Sequence, residues 1–401
     1  MRIVQITPVV GTGAVGRIVD QLYKGLIESG YKCIVVCGKA GNTLIPEKDL
    51  IICGNIRRYL NVLNARIFDR DGFCSSFYTR KIVEKIEKFS PDIIQFHGNY
   101  GYYIDVRVLY RCINKNNYIL VNTLHSCWDF TGHCCYFIYA SCEKWMTKCH
   151  NCHEKHSYPA SWIFDNSKKN YDEKKRIFTS VSREVIVTPS NWLAELIPYS
   201  FLQKYPVKII RNGIDISSFS NKKFNAKKFK FDISKIIILG IAGQWTNRKG
   251  LDDFIELSKI VNDEFQIVVV GVNKRQKARL PLNIYGITRT ENVEELALLY
   301  SIASIFFNPT HEDNYPTVNI EAIACGTPVV TYRTGGSSEI IEITGAGKVV
   351  KKGDYQSVIN IARKYKGKKL ILKREVYKMI SHTRMVKDYI NLYQELQSIQ
   401  S

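Results

Sequence analysis

The sequence predicts an α/β protein with two doubly wound, Rossmann-like domains and a cleft between the carboxyl ends of their strands. Short β-branched runs alternate with amphipathic helical patterns in the first half of the chain, and the alternation starts again near residue 236. A lysine-rich stretch of low hydrophobicity, ending at Lys235, separates the two halves. The chain has 401 residues, of which 45% are hydrophobic, enough for two full cores.

The first domain is predicted to span residues 1–205. Its apolar runs have the length and composition of buried parallel strands, and helices are expected on both faces of the sheet. A cysteine-rich insert at residues 126–158 interrupts the pattern. We predict strands at residues 3–7, 33–38, 92–97, 119–125 and 185–189, and helices at residues 17–29 and 79–89.

The second domain is predicted to span residues 206–384, and a final segment, residues 385–401, is expected to be mainly helical. The same strand and helix patterns recur, so a second parallel sheet is expected. We predict strands at residues 236–242, 265–271, 305–308 and 328–332, and helices at residues 251–261, 293–303, 317–324, 337–341 and 385–398.

Composition narrows the class of protein. No run approaches the roughly 20 apolar residues of a transmembrane helix, and the N-terminal MRIVQITPVV lacks the pattern of a secretory signal. Twelve cysteines without a signal favour a reducing cytosol. The net charge of +20 comes without a nucleic-acid-binding motif, so no nucleic acid partner is predicted. An anionic membrane face or an anionic lipid-linked acceptor fits the charge, and a lysine-rich composition without functional meaning is the alternative.

Two strand-to-helix turns follow each other between residues 309 and 339. The first turn carries the acidic residues Glu312 and Asp313, and the helix behind it contains Glu321. The second turn is Gly335-Gly336. Helix N-termini at such turns bind anions, whereas a carboxylate one turn into a helix suits neutral hydroxyls such as those of a ribose. The combination of phosphate and ribose indicates a nucleotide.

The motif EAIACGTPV, which begins at Glu321, resembles the acidic signature of retaining glycosyltransferases of family 4. The family pattern has two glutamates with seven residues between them. Here Asp313 occupies the first position, with Glu312 beside it. The resemblance covers nearly the whole chain. It implies the GT-B fold of the group 1 glycosyl transferases of bacterial polysaccharide synthesis, in which the last helix packs back on the first domain.

The resemblance also assigns roles in the second domain. Glu321 is expected to bind the ribose, and Asp313 or Glu312 to hold sugar hydroxyls and favour an oxocarbenium ion. Lys249 matches the family's lysine and is expected to stabilise the departing diphosphate. Gln244 stands where the family has arginine, so Arg248 is expected to supply the second positive charge. No catalytic metal is needed if these cations neutralise the diphosphate. The predicted donor-binding residues are Gly13, Arg248, Lys249, Asn314, Tyr315, Pro316, Thr317, Val318, Glu321, Gly335 and Gly336.

In the first domain, the loop GTGAVG at residues 11–16 follows the first strand and opens a helix. A dinucleotide site and a turn without function are alternatives to the family interpretation, in which Gly13 faces the donor or the acceptor. The resemblance implies that His125 bonds the transferred sugar, although lone histidines are often structural. His97 and Asp129 are predicted on the acceptor side, and His133 is a weaker candidate.

Four cysteines of the insert, Cys134, Cys142, Cys149 and Cys152, lie within nineteen residues, and the last two form a C-x-x-C. This spacing predicts a tetrahedral structural zinc site, and a cluster of free thiols is the alternative.

The sequence therefore predicts a cytoplasmic, retaining, hexosyltransferase-type enzyme, in peripheral contact with the inner face of the plasma membrane. It would move a sugar from a nucleotide-sugar donor, a UDP-sugar first of all, to a hydroxyl of a growing lipid-linked glycan of a capsule or lipopolysaccharide. A sugar-nucleotide-binding pseudoenzyme and a UDP-sugar epimerase are the alternatives.

Overall fold

The computed structural model describes residues 1–53, 55–221 and 231–398, without the side chains of residues 55–58. The chain forms two compact units. The first comprises Met1–Arg211 together with Met385–Ser401, and the second comprises Asn212–Arg384. Most of the lysine-rich stretch predicted to separate the domains, residues 222–230, lies outside the described residues.

The first unit contains a seven-stranded, wholly parallel sheet in the order β3-β2-β1-β4-β5-β6-β7. The strand order reverses between β1 and β4, so this is a doubly wound sheet. Its strands are β1 (Arg2–Val10), β2 (Lys32–Ala40), β3 (Leu50–Ile52), β4 (Ile93–Phe96), β5 (Ile119–Thr123), β6 (Glu184–Thr188) and β7 (Val207–Ile209). Its helices are α1 (Gly13–Glu28), α2 (Asn55–Phe68), α3 (Ser76–Phe89), α4 (Val106–Asn116), α5 (Ser167–Phe178) and α6 (Asn191–Leu196).

The second unit contains a six-stranded parallel sheet in the order β10-β9-β8-β11-β12-β13, which reverses between β8 and β11. Its strands are β8 (Ile236–Ile241), β9 (Phe265–Val270), β10 (Ile284–Ile287), β11 (Ile305–Asn308), β12 (Val329–Tyr332) and β13 (Gly347–Val350). Its helices are α7 (Leu251–Ser258), α8 (Lys274–Lys277), α9 (Val293–Ile302), α10 (Thr317–Ala324), α11 (Glu339–Thr344), α12 (Tyr355–Lys364) and α13 (Arg374–Ile380).

The central strands are buried on both faces because helices cover each sheet. All six residues of β8 are buried, as are the residues of β4, β5, β11 and β12. Strand β1 aligns Ile3 with Cys33 on one side and with Ile93 on the other, so apolar side chains stack across the sheet. No helix in the described part of the chain combines the length and apolarity needed to cross a bilayer.

The final helix, α14 (His382–Ser398), contributes buried aromatic residues to the core of the first unit. The hydroxyl of Tyr389 lies 3.2 Å from Oγ1 of Thr123, and the hydroxyl of Tyr393 donates a hydrogen bond to the side-chain oxygen of Gln95. These bonds fix the helix against strands β4 and β5.

Three local predictions need correction. Helix α1 begins at Gly13 rather than at residue 17, so the glycine loop itself supplies the first helical turn. Helix α11 begins at Glu339 rather than at residue 337, because residues 335–338 form turns. Strand β5 ends at Thr123, which leaves His125 in the following loop. Helices α2, α4, α5, α6, α8, α12 and α13 were not predicted.

Candidate functional site

The main candidate site lies where the strand order of the second sheet reverses. In doubly wound sheets, ligands bind outside the carboxyl ends of the strands at this point. The loop after β8 carries Lys249, and the loop after β11 carries Asp313. The ammonium group of Lys249 forms a salt bridge with Oδ2 of Asp313. Two residues that are 64 positions apart therefore form one ion pair at the reversal point of the sheet.

Backbone contacts fix the two loops against each other. The amide of His311 donates to the carbonyl oxygen of Arg248 at 2.7 Å, and the guanidinium of Arg248 donates to the carbonyl oxygen of Glu312. Gly250 has a φ of 76°, and a Cβ atom there would lie 2.3 Å from the carbonyl oxygen of Pro309. Glycine is therefore required at position 250 both for its backbone conformation and for this close approach.

The second glycine turn holds Asp313 from the other side. The amide of Gly336 donates to the carbonyl oxygen of Asp313 at 2.9 Å, and the amide of Asn314 donates to its Oδ1 at 2.9 Å. Gly335 has a φ of 59°, and a Cβ atom there would lie 2.2 Å from the same carbonyl oxygen. The acidic loop and the glycine turn are thus joined directly by a backbone hydrogen bond.

The charges of the pair follow from its surroundings. Burial opposes ionisation of Asp313, but the positive charges of Lys249 and Arg248 outweigh it and lower the pKa of the carboxyl. Burial also lowers the pKa of the Lys249 ammonium group, and Asp313 partly offsets this effect. The side chains of Lys249 and Asp313 remain 23% and 10% exposed, so the pair borders solvent rather than lying in the core.

Glu321 lies in helix α10, 1% exposed, with Oε2 accepting a hydrogen bond of 3.1 Å from the hydroxyl of Tyr300. On the same helix, the side-chain Nδ2 of Asn319 donates to the carbonyl oxygen of Ser337 at 3.0 Å. Nδ2 of Asn308 donates to Oδ1 of Asn319 at 2.8 Å. The helix is therefore joined by side-chain bonds to the end of β11 and to the second glycine turn. Residues 314–316 connect this helix to the acidic loop.

Sequence analysis missed Asp253, which lies in the first turn of helix α7. Its carboxylate accepts hydrogen bonds from the hydroxyls of Tyr332 at 2.6 Å and Tyr355 at 3.1 Å, and Nε2 of His311 lies 2.9 Å away. These bonds connect the loop after β11 to the rest of the second unit. The only signal in the sequence is an acidic pair just after Lys249 and Gly250, which is also typical of an ordinary helix start.

In the first unit, His97 follows β4 and His125 follows its neighbour β5. Nδ1 of His97 lies 3.2 Å from Nε2 of His125, and the rings stack with centroids 5.5 Å apart. Burial, followed by the proximity of His125, lowers the pKa of His97 well below its usual value. Burial lowers the pKa of His125 to about 4. At neutral pH the two rings are therefore uncharged hydrogen-bonding groups.

The other candidates of the first unit occupy different surroundings. Burial raises the pKa of Asp129, and Nδ2 of Asn99 donates to this carboxyl at 2.5 Å. His133 pairs with Asp69, and this interaction outweighs burial and raises the pKa of His133, which indicates a structural ion pair. Gly13 has a φ of 67°, and a Cβ atom there would meet open space, so the backbone at the start of α1 is accessible.

The cysteine insert gives the zinc prediction no support. The thiol of Cys134 is hydrogen-bonded to Cys152, and Cys149 is buried nearby in the same hydrophobic cluster. Although these cysteines lie close together, no group of three or more His, Cys, Asp or Glu side chains in the described ranges is arranged to hold a metal ion. The zinc site stays a prediction, which elemental analysis of protein purified without a histidine tag would test.

Sequence comparison decides the family. The family model described as Glycosyltransferase Family 4 matches residues 15–218, just over half of the chain. The chain belongs to glycosyltransferase family 4. A second family model, Glycosyl transferases group 1, matches residues 222–387. The predicted family and the predicted fold class of two parallel, Rossmann-like units are both confirmed.

Relatives of this glycosyltransferase extend over most of its length. The putative colanic acid biosynthesis glycosyl transferase WcaC of Escherichia coli is 22% identical over 354 residues, which are 84% of each chain. Among solved structures, sucrose-phosphate synthase from Thermosynechococcus elongatus has a TM-score of 0.70 at 15% identity, with both chains fully covered. Anabaena Alr3699/HepE in complex with UDP and glucose has a TM-score of 0.65 at 14% identity, covering 98% and 100% of the two chains. The structural likenesses show the fold.

Proposed function

We propose that this glycosyltransferase is a retaining, hexosyltransferase-type enzyme of polysaccharide biosynthesis. It takes a sugar from a UDP-sugar and transfers it to a hydroxyl of a growing, lipid-linked surface glycan on the cytoplasmic side of the membrane. The observation that carries this proposal is the Lys249–Asp313 pair at the reversal point of the second sheet, followed by Glu321 on the adjoining helix.

Two kinds of comparison support the choice of donor and pathway. One relative, aligned over 84% of the chain, carries a name from colanic acid biosynthesis, a polysaccharide. A neighbour of the same fold was solved with UDP and glucose. These similarities support a donor made of a nucleoside diphosphate and a hexose.

The chemistry follows from charge. As the bond between sugar and diphosphate breaks, negative charge grows on the leaving group, and Lys249 with Arg248 would stabilise that charge. Positive charge grows on the sugar, and the ionised carboxylate of Asp313 would stabilise it. Because Asp313 and Lys249 are in contact, their opposite charges would act at neighbouring positions of the reacting donor. Glu321, deep in the helix, would accept hydrogen bonds from ribose hydroxyls.

Retention would arise from attack on the face from which the diphosphate departs. The departing phosphate oxygen can then accept the proton of the acceptor hydroxyl, so this route needs no separate base. In the first unit, the uncharged His97 and His125 suit bonds to sugar hydroxyls better than bonds to phosphates. The glycine loop at Gly13 offers accessible backbone donors.

A donor screen tests the proposal directly. UDP, GDP, ADP and their hexose derivatives should be compared by thermal shift, and UDP compounds should give the largest stabilisation. The anomeric configuration of the product, measured by NMR with a lipid-linked acceptor, should match that of the donor. Conversion of the donor sugar without acceptor would indicate an epimerase instead. Binding without any turnover would indicate a pseudoenzyme, and an inverted product would refute retention.

A further inference from the structure

Within residues 59–68 of helix α2, the solvent-facing side is mainly apolar, which is the reverse of the usual pattern for a helix on a water-exposed surface. The exposed side chains of Tyr59, Leu60, Leu63 and Phe68 are between 44% and 79% accessible. Among residues 59–68, Asn64 is the one exposed polar residue. Folding of this unit therefore leaves large apolar groups in water, at a cost that a purely structural helix would avoid.

A second apolar segment continues this face. Residues 162–164, with the sequence Trp-Ile-Phe, run along the C-terminal end of α2. The amide of Trp162 donates to the carbonyl oxygen of Arg66 at 2.5 Å, and the amide of Phe164 donates to that of Ile67 at 3.0 Å. The rings of Phe164 and Phe68 stack with centroids 5.5 Å apart. We call Tyr59, Leu60, Leu63, Phe68 and residues 162–164 the apolar patch.

Two cationic side chains, Arg66 and Lys155, contact the apolar patch. The guanidinium of Arg66 lies 5.2 Å from the ring centre of Trp162, and the ammonium group of Lys155 donates to the carbonyl oxygen of Ile163 at 3.3 Å. Helix α2 contains three arginines and no acidic residue. Between residues 55 and 81 the sequence has six basic residues and two acidic ones, Asp69 and Asp71, and both of these are buried.

We propose that the apolar patch docks this chain onto an anionic lipid bilayer. Tryptophan, tyrosine and apolar side chains flanked by arginine and lysine have the composition of interfacial membrane contacts, in which apolar groups enter the headgroup region and cations meet anionic lipids. The net charge of +20 acts in the same direction.

A second copy of the chain is a poorer occupant of this surface. A symmetric dimer would place the patch against itself, so Arg66 and Lys155 of one copy would approach the same cations of the other. An anionic lipid surface instead complements them. The docking proposal needs neither the donor nor the acceptor of the proposed function, and it can be tested without any transfer reaction.

The test is co-sedimentation of the full chain with phosphatidylglycerol-containing vesicles and with phosphatidylcholine vesicles. The wild-type chain should bind the anionic vesicles, and higher salt should weaken binding. The double variant Leu63→Gln/Trp162→Gln should bind at least about tenfold more weakly, because two large apolar contacts are lost. The matched control is Leu282→Gln/Ile371→Gln, at sites 107% and 100% exposed in the second unit, which should bind like the wild type.

Fluorescence gives an independent measurement at the patch itself. Of the five tryptophans, Trp162 is the exposed one at 53%, whereas Trp128, Trp145 and Trp245 are buried and Trp192 is partly buried. A blue shift on vesicle binding should therefore come from Trp162, and it should vanish in Trp162→Phe while that variant still sediments with vesicles.

Two results would overturn the proposal. The first is unchanged vesicle binding by the Leu63→Gln/Trp162→Gln variant, with its fold verified by circular dichroism. The second is a wild-type dimer that this variant converts to monomer, without vesicle binding by either, which would make the patch a self-interface. Transfer to a soluble acceptor should be unchanged in the variant, so failure of docking is distinguishable from failure of the proposed glycosyl transfer.

Discussion

The two sheets of this chain share a doubly wound topology, but the ends of neighbouring strands carry different chemistry in the two units. After β8 and β11 of the second sheet stands a charged pair, Lys249 and Asp313. After the adjacent strands β4 and β5 of the first sheet stand His97 and His125, both kept neutral by burial. The shared scaffold thus positions side chains in both units without determining their charge.

Under the proposed function, the charged pair and the neutral histidine pair would do different things: the first would stabilise separating charges, and the second would bind sugar hydroxyls. A cation with an ionised carboxylate responds strongly to a reaction that separates charge. Neutral imidazoles respond weakly to charge but form directional hydrogen bonds to hydroxyls. We therefore expect changes in the second unit to affect turnover most, and changes in the first unit to affect orientation and pH dependence.

The largest effect is expected for Lys249→Met. Loss of the cation should lower turnover by about a hundredfold or more, because a preorganised charge for the leaving group is removed. It should also reduce the free energy of unfolding by up to about 3 kcal/mol, since Asp313 is left poorly paired. Steady-state transfer assays and chemical denaturation measure the two effects separately.

The double variant Lys249→Met/Asp313→Asn is the control for that prediction. With both charges removed, stability should recover relative to Lys249→Met, while turnover stays low. Recovery of turnover together with stability would mean that the pair has only a structural role. A silent Lys249→Met combined with a severely impaired Arg248→Ala would exchange the roles of the two cations.

Asp313→Asn alone should lower transfer at saturating donor by about a hundredfold, on the scale expected when a reacting group is lost or misplaced. Donor binding should change little, because the bond from the Gly336 amide to the carbonyl oxygen of residue 313 does not involve the side chain, and the side-chain oxygen of asparagine can still accept the bond from the Asn314 amide. Glu312→Gln should be milder, since the carbonyl oxygen of residue 312 makes the bonds to Arg248 and Thr310. The opposite ranking would transfer the acidic role to Glu312.

A smaller effect is expected at the ribose position. Glu321→Gln should weaken UDP binding by about tenfold, since a charge-assisted hydrogen bond contributes roughly 1.5–3 kcal/mol. Tyr300→Phe, which removes the hydroxyl that bonds Oε2, is the matched variant and should weaken binding less. Titration calorimetry measures both, and unchanged UDP affinity in a folded Glu321→Gln protein would contradict the ribose assignment.

Sequence patterns identified Lys249, Asp313, His97 and His125 as candidate site residues, but they did not predict which of these residues contact each other. Both sheets were predictable because buried β-branched runs alternate with amphipathic helices. The pairing of Lys249 with Asp313 was not, because it depends on β8 lying beside β11, and strand order is a tertiary property. The contact of His97 with His125 likewise requires β4 and β5 to be neighbours, and their ring nitrogens to face each other.

Helix α2 shows another limit of sequence analysis. Four of its apolar residues, Tyr59, Leu60, Leu63 and Phe68, are exposed while Ala65 is buried, so a pattern analysis that assigns apolar residues to the core fails there. An unexpected element of this kind is often functional, since local consistency is most often broken at functional sites. The glycine loop shows a smaller error, because helix α1 was predicted there but begins at Gly13, four residues earlier than expected.

The smallest expected effect concerns pH and the first unit. Unfolded histidine titrates near pH 6.5, whereas burial lowers the pKa of folded His125 to about 4. As pH falls below 6.5, the unfolded chain therefore binds protons that the folded chain does not, and stability falls. The slope is at most about 1.4 kcal/mol per pH unit for each histidine.

Replacement of His125 by asparagine should therefore flatten the dependence of the unfolding temperature on pH between 7 and 5. His150→Asn, at an exposed position of the cysteine insert, is the matched control and should keep the wild-type dependence. The charged pair of the second unit behaves differently, because the lowered pKa of Asp313 keeps it ionised over this range. If His125→Asn keeps the full wild-type dependence of unfolding temperature on pH, then His125 is not buried in its neutral form. The proposed contrast between a neutral pair in the first unit and a charged pair in the second would then be wrong.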